Sequence, residues 1–583
     1  MPALKAPLPW RIFRSPLADY CDELADLARA YSPEVLGRIR EDGYNAVWLR
    51  VVLRECVATS VFPDLQPREG ALDRLREIAE CCARAGLKVF VYLNEPLGFP
   101  EDALFWEVHP ELRGHLDRSF DDGWDRANAL CTSQEKTRLF LEEASSALFQ
   151  EVPKLAGVIL ITASEHLTHC FSHESRYLKV VRTLAPADPY PLQCSLCAQR
   201  TPAEIVGEIV TAIDRGVRSA REDATVIAWN WSWSYFEESP QQALIAALPE
   251  RVAVMVDFER GGRQELSLTQ GDVSIQVDEY SLGYVGPSPL FSGVADIARQ
   301  KGHEVLAKLQ IGTTHEIATV PNLPLIPHLV RKIFHLREIG AAGFTATWCL
   351  GTFPSLNTFA VGWLCSRLHI IDEPSALRGI AGDYFPDCDA ADIVEAWETF
   401  CRAFAHFPQI QDFLYRGPVN AAPAYPWALK EGPLRPTWFP PQPYGDQFET
   451  CLGPLSLDEI IETLQRLLNT WRQGLKIYAK ALGTSNALPA KLELGVAQAI
   501  GHQMESATNL LAFHRAVRTS DEPEMHRLRL REIAQLRDFR ALVKSDSRLG
   551  FHQGCFPRPQ FFYDLPSIEQ KLRELAEGGM ERP

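Results

Sequence analysis

Residues 157–170 read GVILITASEHLTHC. A short apolar run, rich in β-branched residues, has the look of a strand buried on both faces, as in a parallel sheet covered by helices. It then ends in small residues, a glutamate, two histidines and a cysteine. A buried strand has no packing use for a carboxylate at its tip, because an unpaired buried charge is expensive. Glu165 is therefore read as a residue with a role outside the sheet.

The same grammar repeats on both sides of this stretch. Short apolar runs occur at 45–53 (NAVWLRVVL), 87–93 (LKVFVYL), 127–132 (a weak ANALCT), 157–163 (GVILITA), 225–231 (TVIAWNW), 252–258 (VAVMVDF), 304–312 (EVLAKLQIG) and 343–350 (GFTATWCL). Amphipathic helical segments separate them, such as 70–86 with Leu72, Leu75, Ile78, Cys81 and Cys82 on one face. Eight strand–helix units predict a (β/α)8 TIM barrel, of class α/β. No glycine-rich phosphate loop follows the first run, which counts against a dinucleotide fold. A ninth run, DVSIQVDEY at 272–280, is either a hairpin insertion or a barrel strand that displaces one of the eight. Further on the pattern turns helical. The segment from Ser456 opens with a capping box, Ser456 to Glu459, and carries Ile460, Leu464, Leu467, Trp471, Leu475 and Tyr478 on one stripe. The expected division is a barrel over residues 1–375 and an all-helical domain over 376–583. The latter includes a proline-rich connection at about 415–455, too aromatic to be a free linker.

Composition narrows the function. A net charge of −16 disfavours nucleic acid and anionic membranes as partners, since both require a basic face. No run approaches the roughly 18 apolar residues of a membrane span, and the first 25 residues show no secretion signal. Fourteen cysteines in such a chain read as reduced thiols, some metal-bound, and the expected compartment is the cytoplasm. Homo-oligomerisation stays open.

Active sites of such barrels sit at the C-terminal ends of the strands. Those ends carry Arg54, Asn94–Glu95, Glu165, Trp231 and Trp233, His315–Glu316 and Trp348, with Glu279 and Tyr280 closing the ninth run. Two carboxylates and flat aromatic walls suit glycoside hydrolysis: one acid protonates the leaving oxygen, and the other attacks the anomeric carbon or activates water. Aromatic faces stack on sugar rings, so Trp231, Trp233, Trp348 and Tyr280 are candidate walls. Asn94, Glu95 and Arg54 are candidate polar contacts. A non-catalytic carbohydrate-binding barrel and a metal-dependent hydrolase or lyase remain alternatives.

A glutamate after the fourth strand, another after the seventh and a tryptophan after the eighth resemble the clan A retaining (β/α)8 glycosidases. The resemblance implies Glu165 as acid/base, Glu316 as nucleophile and Trp348 as the floor of the sugar site, although Ser164 stands where the clan has Asn. A looser resemblance links the chain to the family 20 β-hexosaminidases, which use an Asp–Glu pair after strand 4. Here the pair is Asp278–Glu279, on another run, which makes Glu279 the rival second carboxylate. ALCTS, ITASEHLTHC, DEYSLGYVGP, AKLQIGTTHE and WCLGTFPS together resemble an uncharacterised bacterial glycoside hydrolase-like family. The implied substrate is a hexosamine-containing or other β-linked glycan, with no cofactor required for catalysis.

A second constellation follows Glu165. His166, His169, Cys170 and His173 precede Cys194-x2-Cys197 by about twenty residues, spacing that suits a Cys3His zinc site. The expected ligands of this structural zinc are Cys170, Cys194, Cys197 and His173, with His169 as the alternative fourth.

Overall fold

The computed structural model describes residues 6–117, 126–163, 166–172, 192–348, 350–427, 432–434, 445–552 and 560–577. Eight parallel strands close into a barrel: β1 (Trp10–Phe13), β2 (Ala46–Arg50), β3 (Lys88–Leu93), β4 (Leu155–Ile161), β5 (Thr225–Trp229), β6 (Ala253–Asp257), β7 (Val305–Leu309) and β8 (Gly343–Ala346). Closure comes from β1, which pairs Trp10 with Gly343 on one side and Ile12 with Ala46 on the other.

The expected count of eight is right, but one member differs. WRIF is only four residues long and is too short to announce itself as a strand, yet it is β1. The weak run at 127–132 contributes Ala127–Leu130 instead to a three-stranded antiparallel sheet, between Phe99–Pro100 and Arg113–Asp117. The ninth run is a hairpin insertion after β6: Gly262–Leu268 pairs antiparallel with Gly271–Val277.

Side chains alternate across each barrel strand. Ala46 and Trp48, Phe90 and Tyr92, Ile159 and Ile161, Ile227 and Trp229, Ala253 and Met255, and Leu306 fill the interior as one buried cluster. Val47 and Leu49, Val89 and Val91, Val158 and Leu160, Val226 and Ala228, and Val254 and Val256 belong to a larger cluster shared with the surrounding helices. Both faces are thus buried, which is why the strands read as unbroken apolar runs.

Local signals set the helices. In α1 (Ala71–Arg84) Leu75, Ile78, Ala79 and Cys82 are buried. After α2 (Glu135–Glu151), α3 (Pro202–Ala220) starts at a capping box of Thr201 and Glu204 with proline in its first turn. Helix α4 (Ile326–Glu338) follows β7. The helical region contains α5 (Ala390–Phe404), α6 (Leu457–Leu482), α7 (Leu488–Thr519), α8 (Glu522–Ser545) and α9 (Leu565–Glu577). Ser456 and Glu459 form the expected box at the head of α6, and Trp471 of that helix stacks on Phe400 of α5, centroids 4.2 Å apart. The expected division at residue 375 falls inside the helix Glu373–Tyr384, whose contacts include α4 and α5. No described helix is long and apolar enough to cross a membrane.

The helical region is fastened to the barrel by buried polar contacts. Gln503 of α7 donates to Thr319 Oγ1 (2.6 Å) and Val419 O (2.8 Å), and Asn322 donates to Glu493 (2.9 Å). In the proline-rich connection, Asn420 receives the Ala318 N–H at 2.7 Å and donates to His315 O at 3.0 Å, holding the loop after β7 from both sides of Glu316.

One close approach tests the packing of the barrel's last helix. A Cβ on Gly362, in the helix Leu356–Cys365, would lie 1.4 Å from the carbonyl oxygen of Asp42, beside Gly43 at φ +93°. Gly362→Ala is expected to cost about 3 kcal/mol or more by chemical denaturation. Gly37→Ala, where nothing lies within 4 Å of the added carbon, should leave stability unchanged or raise it by up to about 1 kcal/mol.

Candidate active site at the barrel mouth

Inward-facing positions turn from apolar to charged at the C-terminal ends of the strands. Register places Lys308 of β7 beside Asp257 of β6. Asp257 Oδ1 accepts a hydrogen bond from Trp229 Nε1 (2.8 Å), and Oδ2 accepts one from Arg260 (3.1 Å). Burial raises the Asp257 pKa, with the Arg260 charge opposing. Lys308 is fully buried, donates to Gln310 Oε1 (2.6 Å) and sits 3.2 Å from the centre of the Tyr280 ring. Burial lowers its pKa to about 8, against the fields of Glu259, Asp257 and Glu279.

Aromatic rings lie above this layer. The Arg260 guanidinium is 4.4 Å from the Trp231 ring centre, and Trp231 lies 5.2 Å from Tyr280. Glu279 Oε1 accepts from the Tyr280 N–H (3.1 Å), and Oε2 accepts from the Tyr415 hydroxyl. Across the mouth Trp348 packs on Tyr20, centroids 5.1 Å apart. Thr347, just before it, holds a φ of +64°, a conformation unusual for a β-branched residue and a sign of local strain. Arg50 donates to Asn94 Oδ1 (3.1 Å) and lies 5.2 Å from the Tyr20 ring, while His166 Nε2 lies 3.5 Å from the Tyr20 hydroxyl.

The residues expected from the sequence divide sharply. Trp231, Trp348, Tyr280, Asn94 and Glu279 come together at the mouth. Glu165 and His173 lie outside the described residues. Trp233 has no exposed surface and donates from Nε1 to Thr162 Oγ1 (2.9 Å), so it is a core residue and no sugar wall. Glu95 receives the Leu53 and Leu97 N–H groups at 2.7 and 2.9 Å, and bridges two loops. Arg54 donates to the carbonyls of Leu97 and Gly98 and covers the Phe99 ring at 4.1 Å, bracing that same loop.

Glu316 is fully buried. Its carboxylate takes hydrogen bonds from Ser281 Oγ (2.6 Å), Leu282 N (2.9 Å), Gly283 N (3.2 Å) and Gln409 Nε2 (2.5 Å). It ties the loop after the hairpin to the helical region. Burial raises its pKa, and those four donors oppose the rise.

Three of the four expected metal ligands that lie within the described residues, Cys170, Cys194 and Cys197, do converge. The sulfur that joins them belongs to Cys131, at the end of the strand misread as a barrel member, and all four Sγ atoms lie within 4.8 Å of one another. His169 is engaged elsewhere: Nδ1 accepts from Phe171 N (3.1 Å) and Nε2 donates to Thr162 O (2.5 Å).

No protein-family model matches the sequence, and no curated protein matches it either. Among solved structures, the chain is similar in fold to a GH138 enzyme targeting pectin rhamnogalacturonan II. The TM-score is 0.55 at 10% identity, over 98% of this chain and 67% of that one. At that identity the likeness concerns the fold. A mutant O-GlcNAc hydrolase from Thermobaculum terrenum is matched over 94% of this chain and 93% of that one, with a TM-score of 0.36 at 10% identity.

Asp257, Arg260, Lys308 and Arg50 were missed from sequence, although a signal existed. Arg50 and Lys308 interrupt apolar runs and Asp257 stands near the end of one, the same oddity that singled out Glu165.

The hydrogen bonds of Glu316 predict a stability effect. Glu316→Ala removes the acceptor of four donors, and should cost roughly 3 kcal/mol in urea denaturation. Glu279→Gln, with two donors to satisfy, should cost less than about 1.5 kcal/mol in the same assay.

Proposed function

We propose that the chain is a glycoside hydrolase working at the barrel mouth, with Glu165 as general acid/base and Glu279 as second carboxylate. The observation that carries this reading is the meeting of Glu279, Asp257, Arg260 and Lys308 with Trp231, Tyr280 and Trp348 on one rim. Glycosidic cleavage needs a carboxylate held in a single orientation, and aromatic surface against which a ring can lie. Glu279 is held by the Tyr280 N–H and the Tyr415 hydroxyl, and lies in the field of Arg260 and Lys308. Trp231 and Trp348 are half-buried. Among the described residues Trp348 Nε1 is buried without an acceptor. Glu316 is not the nucleophile in this reading, because its oxygens are committed to four donors.

In the first step the acid at Glu165 protonates the glycosidic oxygen, while Glu279 attacks the anomeric carbon or directs water to it. The fold's likeness to the GH138 enzyme is compatible with this chemistry and leaves the sugar open, so the test uses a panel of nitrophenyl glycosides of neutral, amino and acidic sugars. On the substrate turned over, Glu165→Gln should slow cleavage of poor leaving groups by about 10²–10⁴-fold. With activated leaving groups it should respond to azide. Glu279→Gln should be inactive on both, and Glu316→Gln should keep turnover per folded molecule. The configuration of the first-formed product, read by NMR, separates retention from inversion. Near wild-type rates for Glu279→Gln would sink the assignment.

Lys308 gives a pH signature. Its charge is lost as pH rises through about 8, so kcat/KM should fall on that basic side. Lys308→Arg keeps the charge and should move the fall to higher pH. A basic limb unmoved by Lys308→Arg would assign it to another group.

A further inference from the structure

We propose that Cys131, Cys170, Cys194 and Cys197 bind one zinc ion as four thiolates. This does not depend on the glycosidase reading, since metal content is measured without substrate. The four cysteines arrive from three separate places. Cys131 directly follows the central strand of the small antiparallel sheet, Cys170 follows the tip of β4, and Cys194 and Cys197 lie on the turn that leads into α3. Cys131, Cys170 and Cys197 are buried, and Cys194 is half-buried.

The spacing suits a single ion. Tetrahedral zinc with Zn–S near 2.3 Å sets its sulfurs about 3.8 Å apart. Cys131 Sγ lies 3.5 Å from Cys194 Sγ and 3.7 Å from Cys197 Sγ. A disulfide would need about 2.05 Å, so none of these contacts is one. An iron–sulfur cubane is larger than one ion and holds its thiolates further apart.

The surroundings also suit thiolates. The His115 N–H points at Cys170 Sγ (3.5 Å), and Ser133 Oγ lies 3.2 Å from Cys197 Sγ. Arg200 in turn donates to Ser133 Oγ at 3.2 Å, bringing a positive charge behind that hydroxyl. Gly114 leaves the space Cys170 occupies, since a Cβ there would lie 2.7 Å from its sulfur. The ion would pin the chain five residues beyond Glu165 to the small sheet and to the start of α3, a positioning role outside any chemical step.

The test begins with protein purified under reducing conditions. Elemental analysis should find roughly one zinc per chain. Cobalt exchanged into the site should give the intense visible bands of tetrahedral coordination, with sulfur-to-cobalt charge transfer in the near ultraviolet. Cys131→Ser should lose most of the zinc and alter the cobalt spectrum, whereas Cys82→Ser, at a buried cysteine of α1, should change neither. Gly114→Ala should hold zinc more weakly against a chelator. Wild-type protein with less than about a tenth of a zinc per chain, even after reconstitution, would overturn the proposal whatever the variants do. So would an iron–sulfur absorbance, or a Cys131→Ser variant with full zinc and an unchanged cobalt spectrum.

Discussion

Closure of the barrel by the four-residue strand β1 is the constraint from which the rest follows. With Trp10 paired to Gly343 and Ile12 to Ala46, no strand keeps a free edge and the interior is sealed along its length. Inward positions in the middle of the strands must then be apolar, as Phe90, Ile159, Ile227 and Met255 are. A charged side chain can face inward only at an end, where partners or water reach it. Asp257 and Arg50 close their strands and Lys308 is one residue from the end of its own. The charged layer of the mouth is therefore a product of closure.

Burial then sorts the carboxylates of the rim by what they accept. Glu95 and Glu316 accept backbone and side-chain donors from the loops they join. Glu259 is braced likewise, receiving the Gln310 N–H at 3.0 Å and the fully buried ammonium of Lys332 at 2.5 Å. That ammonium also reaches Ser281 O and Gln310 O, knitting α4 to the loops after β6 and β7. An acid at a strand tip can thus serve as a loop clamp, as Glu95, Glu259 and Glu316 do.

The helical region is part of the mouth's construction as well as its support. Tyr415 donates to Glu279, Gln409 to Glu316, and Asn420 grips residues 315 and 318. These contacts come from the proline-rich stretch and the turns before it, where aromatic and amide side chains are dense. Because each partner group is buried, losing it would strand an unsatisfied donor or acceptor inside the interface.

Much of this was legible in the sequence. Unbroken apolar runs between amphipathic segments announced a barrel, because two buried faces per strand need apolar residues at every position. The Ser456 capping box marked the start of α6, because the side chain that ends the preceding loop satisfies that helix's own N–H groups. The position of Trp231, Tyr280 and Trp348 at the mouth was legible because a strand-end position determines where a side chain can go. Other features depended on distant partners. WRIF became a strand because β2 and β8 offered it two edges, and ANALCT was lost to a small sheet for the same kind of reason. Trp233 and Trp231, two residues apart, went to core and mouth. Glu316 and Glu279 looked alike as strand-tip acids until Gln409 and Tyr415, roughly a hundred residues away in sequence, reached them. Cys131 joined Cys170, Cys194 and Cys197 across gaps of 39 to 66 residues that no spacing rule spans. Periodicity is local and survives in the sequence, whereas the choice of hydrogen-bond and sulfur partners is made only when the chain closes on itself.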